Sequence, residues 1–275
     1  MATFNSFLSF LIDGFLRPFR GVQPFWSLLA ISALTGVLLL FIFRFTSNQN
    51  GIREAKNRIK AHLLEVRIFK DDLRILFSAQ KMILKYNLKY LGFGLKPLVV
   101  IFLPVALLLI QLEGWFGQRP LNPGESTLLS VILSEEAVRL LPEVQLEVDE
   151  GLSIESPSLR IPSAREVDWM IQADKPGQHR LFIKLQGRTT PKIVAVNTGE
   201  LARVSPVKVS SDSWAVALHP GEAPIARGEV IRQITLNYPS RSIDVLGWKL
   251  HWLLVFFVLS TLSGFLFRGL FRVEI

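Results

Sequence analysis

Three stretches of this chain, residues 25–45, 97–116 and 246–267, are almost continuously apolar. Each reaches the roughly 20 residues that a bilayer crossing requires, so three transmembrane helices are expected. Between and around them the pattern changes. Over residues 1–22, Phe4, Phe7, Leu8, Leu11, Phe15 and Phe19 recur at helical spacing, with Asn5, Ser9, Asp13 and Arg17 elsewhere. This predicts an amphipathic helix lying in the membrane interface. It does not read as a signal peptide, because no positive charge precedes the apolar part and no small-residue cleavage site follows it.

Residues 46–96 carry a heptad-like pattern. Ile52, Ile59, Val66 and Leu73 share one core position, followed there by Gln80 and Asn87, and Ala55, Phe69, Leu76, Ile83 and Tyr90 share the other, with His62 as the exception. A single helix over 52–90 would run about 58 Å. The chain must return to the membrane at Lys96, so a helical hairpin broken near "FKDDLR" is expected. Asp71 or Asp72 would cap its second arm, and the arms would pack as a short antiparallel coiled coil.

Residues 120–245 switch to short alternating runs: "VQLEVDE", "EVDWMIQA", "HRLFIKLQG", "KIVAVNT", "SWAVALH" and "EVIRQITLNYP", separated by Gly/Pro turns. This predicts an antiparallel β-sandwich of immunoglobulin-like size, with Trp169 in its core.

Charge orients these parts. The chain carries a net +8 and 49% hydrophobic residues at a mean hydropathy of +0.35. Residues 45–96 hold eleven Lys/Arg against four Asp/Glu, a net of +7, while residues 119–245 hold fourteen against sixteen, a net of −2. An excess confined to one loop between apolar runs puts that loop in the cytoplasm. The N-terminus and the sandwich then lie outside, and the basic tail 268–275 lies inside. Trp26, Trp115, Trp248 and Trp252 sit near span ends, as interfacial aromatics do. An integral protein of a bacterial or archaeal cytoplasmic membrane is the expected setting.

Candidate chemistry is sparse. The chain has no cysteine, and its four histidines lack metal-ligand spacing. No nucleophile–base pair or phosphate loop appears, so neither an enzyme nor a cofactor is expected. Arg44 stands at the end of the first span, where it either snorkels to lipid phosphates or faces inward. Its face of a straight helix carries Val37, Ala33, Ala30 and Trp26, with Thr35 about 180° and Ser32 about 120° away. Polar companions would come from other spans: Gln111 on the Pro104 face of the second, and Ser260, Thr261 and Ser263 in the inner half of the third. The loop basics Arg53, Lys56, Arg58, Lys60, Arg67, Lys70, Arg74, Lys81, Lys85 and Lys89 form either a solvated face near anionic headgroups or a docking surface for ribosomal RNA.

The order of parts is similar to that of the YidC-type membrane protein insertases, most closely their three-span archaeal and endoplasmic-reticulum members. An interfacial helix precedes a span ending "FIFRF", then a basic hairpin, then the span entry "YNLKYLGFGLKPLVVIFLPVALLLIQLEGWF". The resemblance covers about residues 3–117 and, by position, the last span. It implies a polar groove open to the cytoplasm with Arg44 in it, nascent membrane proteins as substrates, and ribosome or partner contacts on the hairpin and on Arg268 and Arg272. Two departures stand out. The sandwich lies between spans two and three, and three spans leave a groove that a second subunit or another copy would complete. The alternative is a membrane scaffold or receptor whose sandwich binds an extracytoplasmic protein.

Overall fold

The computed structural model describes residues 2–271 and Val273, with side chains from Ser9 onward. It forms two compact units, one built from Met1–Leu28 and Leu108–Val255, the other from Leu29–Leu107 and Phe256–Ile275. Two helices are long and apolar enough to cross a membrane.

The second unit is helical. It contains most of α2 (Pro24–Thr46) and α4 (Leu73–Leu112), all of α3 (Gln49–Ile68), and the larger part of α5 (Trp252–Phe267). Local chemistry sets the breaks. Asn48 caps α3, its side chain accepting from Gly51 N at 2.9 Å. The hairpin turns at "FKDD", where Asp72 Oδ1 accepts from Arg74 N at 2.9 Å and from Ile75 N at 3.3 Å.

The two arms pair antiparallel. Gly51 lies against the Phe93 ring, Lys56 Nζ sits 5.9 Å from the Tyr90 ring centre, and His62 stacks on Tyr86 at 5.8 Å. His62, the mismatch in its heptad row, therefore fills its core position as a flat ring, and its Nδ1 lies 2.8 Å from Glu65. One expected boundary is absent. Pro97 does not start a new helix: α4 is one element of 40 residues that contains Pro97 and Pro104.

The first unit holds α1 (Ala2–Leu16), the N-terminal ends of α2 and α5, the C-terminal end of α4, and eleven strands among the described residues. The strands are β1 (Ser126–Leu133), β2 (Gln145–Val148), β3 (Leu152–Ile154), β4 (Leu159–Ile161), β5 (Glu166–Ala173), β6 (Gly177–Leu185), β7 (Arg188–Val196), β8 (Val207–Val209), β9 (Ile231–Leu236), β10 (Ser242–Val245) and β11 (Trp248–His251). One antiparallel sheet runs β3-β5-β1-β9-β8, with β4 also on β5; a second runs β2-β6-β7. Both feed one core. Leu129 and Val131 of β1, Trp169 and Ile171 of β5, Leu181 and Ile183 of β6, and Val194 of β7 are buried together. Alternate residues of β1 point inward, as a half-buried strand requires.

Two sequence expectations fail here. "SWAVALH" is no strand: Ser213 Oγ accepts from Ala215 N and starts a 3-10 turn, Trp214–Ala217. Residues 246–251 are not helical either. They form the turn and second strand of the β10–β11 hairpin, so α5 begins only at Trp252.

The entry to β1 is fixed by a bidentate pair, Arg119 donating to Glu125 at 2.8 and 2.9 Å, with Asn122 N also donating to Glu125 at 2.9 Å. The bonds from Arg119 hold the Glu125 carboxyl below its usual 4.5. A depressed carboxylate stabilises the fold above its unfolded pKa and loses that contribution as pH falls through the folded value. Glu125→Gln should therefore lower the melting temperature at pH 7 and bring it close to wild type well below pH 4. Differential scanning fluorimetry across pH 3–7 checks this.

Candidate functional site

The predicted groove residues divide between the two units. Gln111 belongs to the first. It is buried, accepting from Ser9 Oγ and from Arg203, both at 2.9 Å. In the second unit, α5 packs on α2 at Gly36, whose missing side chain admits the backbone of Ser260 and the Cβ of Ser263. Ser260 is buried and donates to Phe257 O at 3.2 Å, whereas Thr261 is exposed. Gly36 precedes Arg44 by eight residues, about 12 Å along a helix. The serines thus sit well away from Arg44 along the helix axis. Arg44 itself is exposed in the last turn of α2, its guanidinium 5.9 Å from the Phe45 ring centre.

Ser260 and Thr261 do line a cleft. It measures about 290 Å³ and opens between α2, α4 and α5, with Leu40, Phe43, Val105 and Phe257 making it mainly apolar. A second cleft of about 460 Å³ lies between α2, α3 and α4, walled by Phe43, Ile52, Tyr90, Leu91 and Leu95. Neither cleft includes Arg44.

A feature that charge counting does not reveal lies on α4. Leu73, Phe77, Leu84, Leu88, Leu91 and Leu95 are all exposed, and the row continues through Leu98 and Phe102; the eight are between 59% and 72% exposed. At about 100° per residue they fall within a sector of about 80°. This is one apolar stripe, interrupted only by exposed Gln80, starting at the hairpin tip and running into the apolar half of the helix. The opposite face packs on α3, and Arg74, Lys81 and Lys85 border the stripe. No acidic residue occurs in the whole of α4. Apart from Phe69, Leu73 and Gln80, which are exposed, the heptad positions face the contact between the arms, so this second row at helical spacing is the signal that could have revealed the stripe.

The basic residues of the hairpin stand in solvent. Arg53, Arg58, Lys60, Arg67, Lys70, Arg74, Lys81, Lys85 and Lys89 are exposed and Lys56 is half-buried. Lys89 lies 6.0 Å from the Phe93 ring centre, and Arg268, also exposed, 5.8 Å from that of Phe265. Arg272 falls outside the described residues.

The first unit carries buried charge that sequence reading missed. Lys192 is fully buried and donates to Ser205 O and to Glu222. Lys208 donates to Pro191 O at 2.5 Å and lies 3.9 Å from the same carboxylate, which also accepts from Ile193 N at 3.2 Å. Burial pushes both lysines below the usual amine range, with Glu222 opposing. His219 is lowered by burial and by Lys192.

Beside this cluster an open cavity of about 340 Å³ is lined by Asp13, Arg20, Trp115, Glu200, Arg203 and Glu222, among others. Arg203 bridges Asp13 (3.4 Å) and Gln111, and burial lowers its guanidinium from its usual value while Asp13 opposes the shift. These bonds, with Leu201 N donating to Arg20 O and Val204 N to Gly114 O, fasten the 201–205 segment to α1 and to the C-terminal end of α4.

No family model, curated protein or solved structure matches this chain.

Proposed function

We propose that this chain is a membrane protein insertase, or an insertase-like chaperone, that handles apolar helical segments on their way into the bilayer. The observation that carries the reading is the α4 stripe. Large apolar side chains left in water cost about 25 cal/mol per Å², and contiguous exposed apolar surface marks an interaction site. A stripe that runs from the tip of the basic hairpin into the apolar half of α4 fits a partner that is itself a long apolar helix. A continuous α4 of 40 residues spans about 60 Å, twice the hydrocarbon thickness. In the orientation that the loop charge favours, its first half projects into the cytoplasm, beyond the reach of lipid. The bordering lysines and arginines suit acidic flanks on the arriving segment, or the RNA of a ribosome that delivers it.

In this reading the protein lowers the cost of passage without nucleotide hydrolysis. The apolar segment exchanges water for the stripe, then for the clefts between α2, α4 and α5, then for lipid. Each polar group of the trailing tail that crosses hydrocarbon unsatisfied costs several kcal/mol. Ser260 and Thr261 in the cleft offer hydroxyls along that path. Arg44, exposed at the cytoplasmic end of α2, attracts acidic tails electrostatically and is not a groove wall.

The test is insertion of a short-tailed membrane protein into proteoliposomes containing the purified chain. Leu84→Glu/Leu88→Glu changes only exposed positions, so the fold should persist while insertion falls at least tenfold. Arg44→Ala should cost less than threefold for a neutral tail and more for an acidic one. Insertion unchanged by the stripe variant, but abolished by deleting 120–243, would instead favour the scaffold or receptor reading.

A further inference from the structure

The β10–β11 hairpin ends in a two-residue turn, Leu246–Gly247, flanked by the pair Val245 and Trp248. Both turn residues have positive φ, 55° at Leu246 and 87° at Gly247. This is the mirror-image turn that hairpins favour, and its first position ordinarily takes Asn, Asp or Gly. Leucine is disfavoured there on conformation. It is also 96% exposed, and Trp248 beside it is 73% exposed. Neither the backbone nor water favours this choice of side chains, so a third environment must account for it.

The hairpin is built to hold them out. Gly247 N donates to Asp244 Oδ1 at 2.9 Å, closing the turn. Ile243, opposite Leu250, is buried against the β domain. Two residues further on, the same hairpin face carries Val245 and Trp248, and Leu246 extends it beyond the protein edge. Asp244 and Lys249 pair on the other face.

The chain's next element gives the second observation. α5 starts at Trp252, directly after β11, and has only 16 residues. At about 1.5 Å per residue it spans about 24 Å, whereas a bilayer's hydrocarbon core is about 30 Å thick. Placed with Arg268 at the cytoplasmic surface, α5 ends about 6 Å short of the outer surface, and β11 joins it directly at that end.

We infer that this hairpin is a lipid-inserted wedge: Leu246 and Trp248 enter the outer-leaflet interface. Lipid supplies what both residues lack in water, since tryptophan favours the interface and leucine its apolar side. Lys249 on the opposite face is placed for lipid phosphates. The inference rests on the reading that α2, α4 and α5 lie in a bilayer, and the experiment separates the two.

Because the chain has no cysteine, single cysteines can be introduced and spin-labelled in the full-length protein, in nanodiscs of phosphatidylethanolamine and phosphatidylglycerol. Leu38→Cys, on an exposed face midway along α2, reports on the membrane reading. Arg188→Cys, at the β6–β7 turn, reports on water. Accessibility to oxygen relative to a water-soluble nickel chelate should be at least threefold higher at Leu246→Cys than at Arg188→Cys, approaching Leu38→Cys. A label at 246 as nickel-accessible as that at 188, with 38 protected, overturns the wedge and leaves the membrane reading intact. Nickel access at 38 and 246 alike overturns both. Leu246→Asn suits the turn and should preserve the fold, while a label at Trp248→Cys in that background should move measurably toward water. An unmoved label there also argues against the wedge.

Discussion

Replacing Glu222 by leucine should destabilise the β domain more than any other single side-chain change in its core. In the native fold one carboxylate, 4% exposed, serves two buried lysines and the Ile193 N–H. Its removal leaves Lys192 with only Ser205 O and Lys208 with only Pro191 O among the bonds described above. Two ammonium groups then face each other in a low-dielectric interior. Breaking a buried pair from one side costs about 3–5 kcal/mol, and for a domain of this size each kcal/mol lowers the melting temperature by roughly 3–5 °C. A drop of about 10–20 °C in a thermal scan is expected. Lys192→Met removes the deepest cation and leaves Glu222 with Lys208, so its penalty should be smaller.

The pH dependence identifies the mechanism. Burial lowers both lysine pKa values in the fold, whereas the unfolded chain keeps them near 10.5. Between the folded and unfolded values the unfolded state binds more protons, so stability rises with pH across that window. Without Glu222 nothing opposes the burial shift, and the rise should be steeper. The deficit of Glu222→Leu should therefore shrink from pH 7 to pH 9.5. A constant deficit would mean that the loss is packing alone.

What could be read from sequence follows from the range of the forces involved. The hairpin break at Asp72 was legible because capping is local, and β5 was legible because "EVDWMIQA" alternates cleanly and is buried on one face. "SWAVALH" misled because its alternation was only compositional: Ser213 caps a turn, and Trp214 is left 80% exposed. Pro97 misled for a related reason. A proline suits a first turn, but in an apolar helix the lost hydrogen bond is tolerated, and α4 continues through it. The start of the third apolar helix was placed six residues too early, because Leu246 and Trp248 are apolar whether they extend a helix or tip a hairpin.

The Lys192–Glu222 pair was invisible for a different reason, since its members lie thirty residues apart and only the fold of the loop before β9 against β7 brings them together. The groove set failed on depth. Matching Ser260 to Arg44 required knowing where α5 meets α2, and a single glycine determines that.

That glycine supplies the other large expected effect, in the helical unit. Gly36→Leu should separate α5 from α2. A Cβ at Gly36 would lie 2.2 Å from the carbonyl oxygen of Ser260 and 3.0 Å from Ser263 Cβ. The first obstacle is backbone, so no side-chain rotation relieves it, and the helices must move apart along the whole contact. Helices in lipid associate mainly through close packing and hydrogen bonding, because lipid tails compete for apolar surface. A lost contact of this kind has no hydrophobic effect to restore it.

Even Gly36→Ala should be poorly tolerated, since alanine already carries the offending atom. Gly264→Ala is the internal control: its Cβ would meet Gly36 O at 3.7 Å, an ordinary contact. Ser260 is 6% exposed, so a cysteine placed there should react slowly with a maleimide in the otherwise unaltered protein in detergent micelles. Adding Gly36→Leu should raise that rate at least tenfold and lower the melting temperature, while adding Gly264→Ala should change neither appreciably. Equal labelling rates in all three backgrounds would show that Gly36 does not set the α2–α5 contact. The cleft between α2, α4 and α5 depends on the same contact, so under the proposed function insertion should fall with Gly36→Leu even though no residue of the α4 stripe is altered.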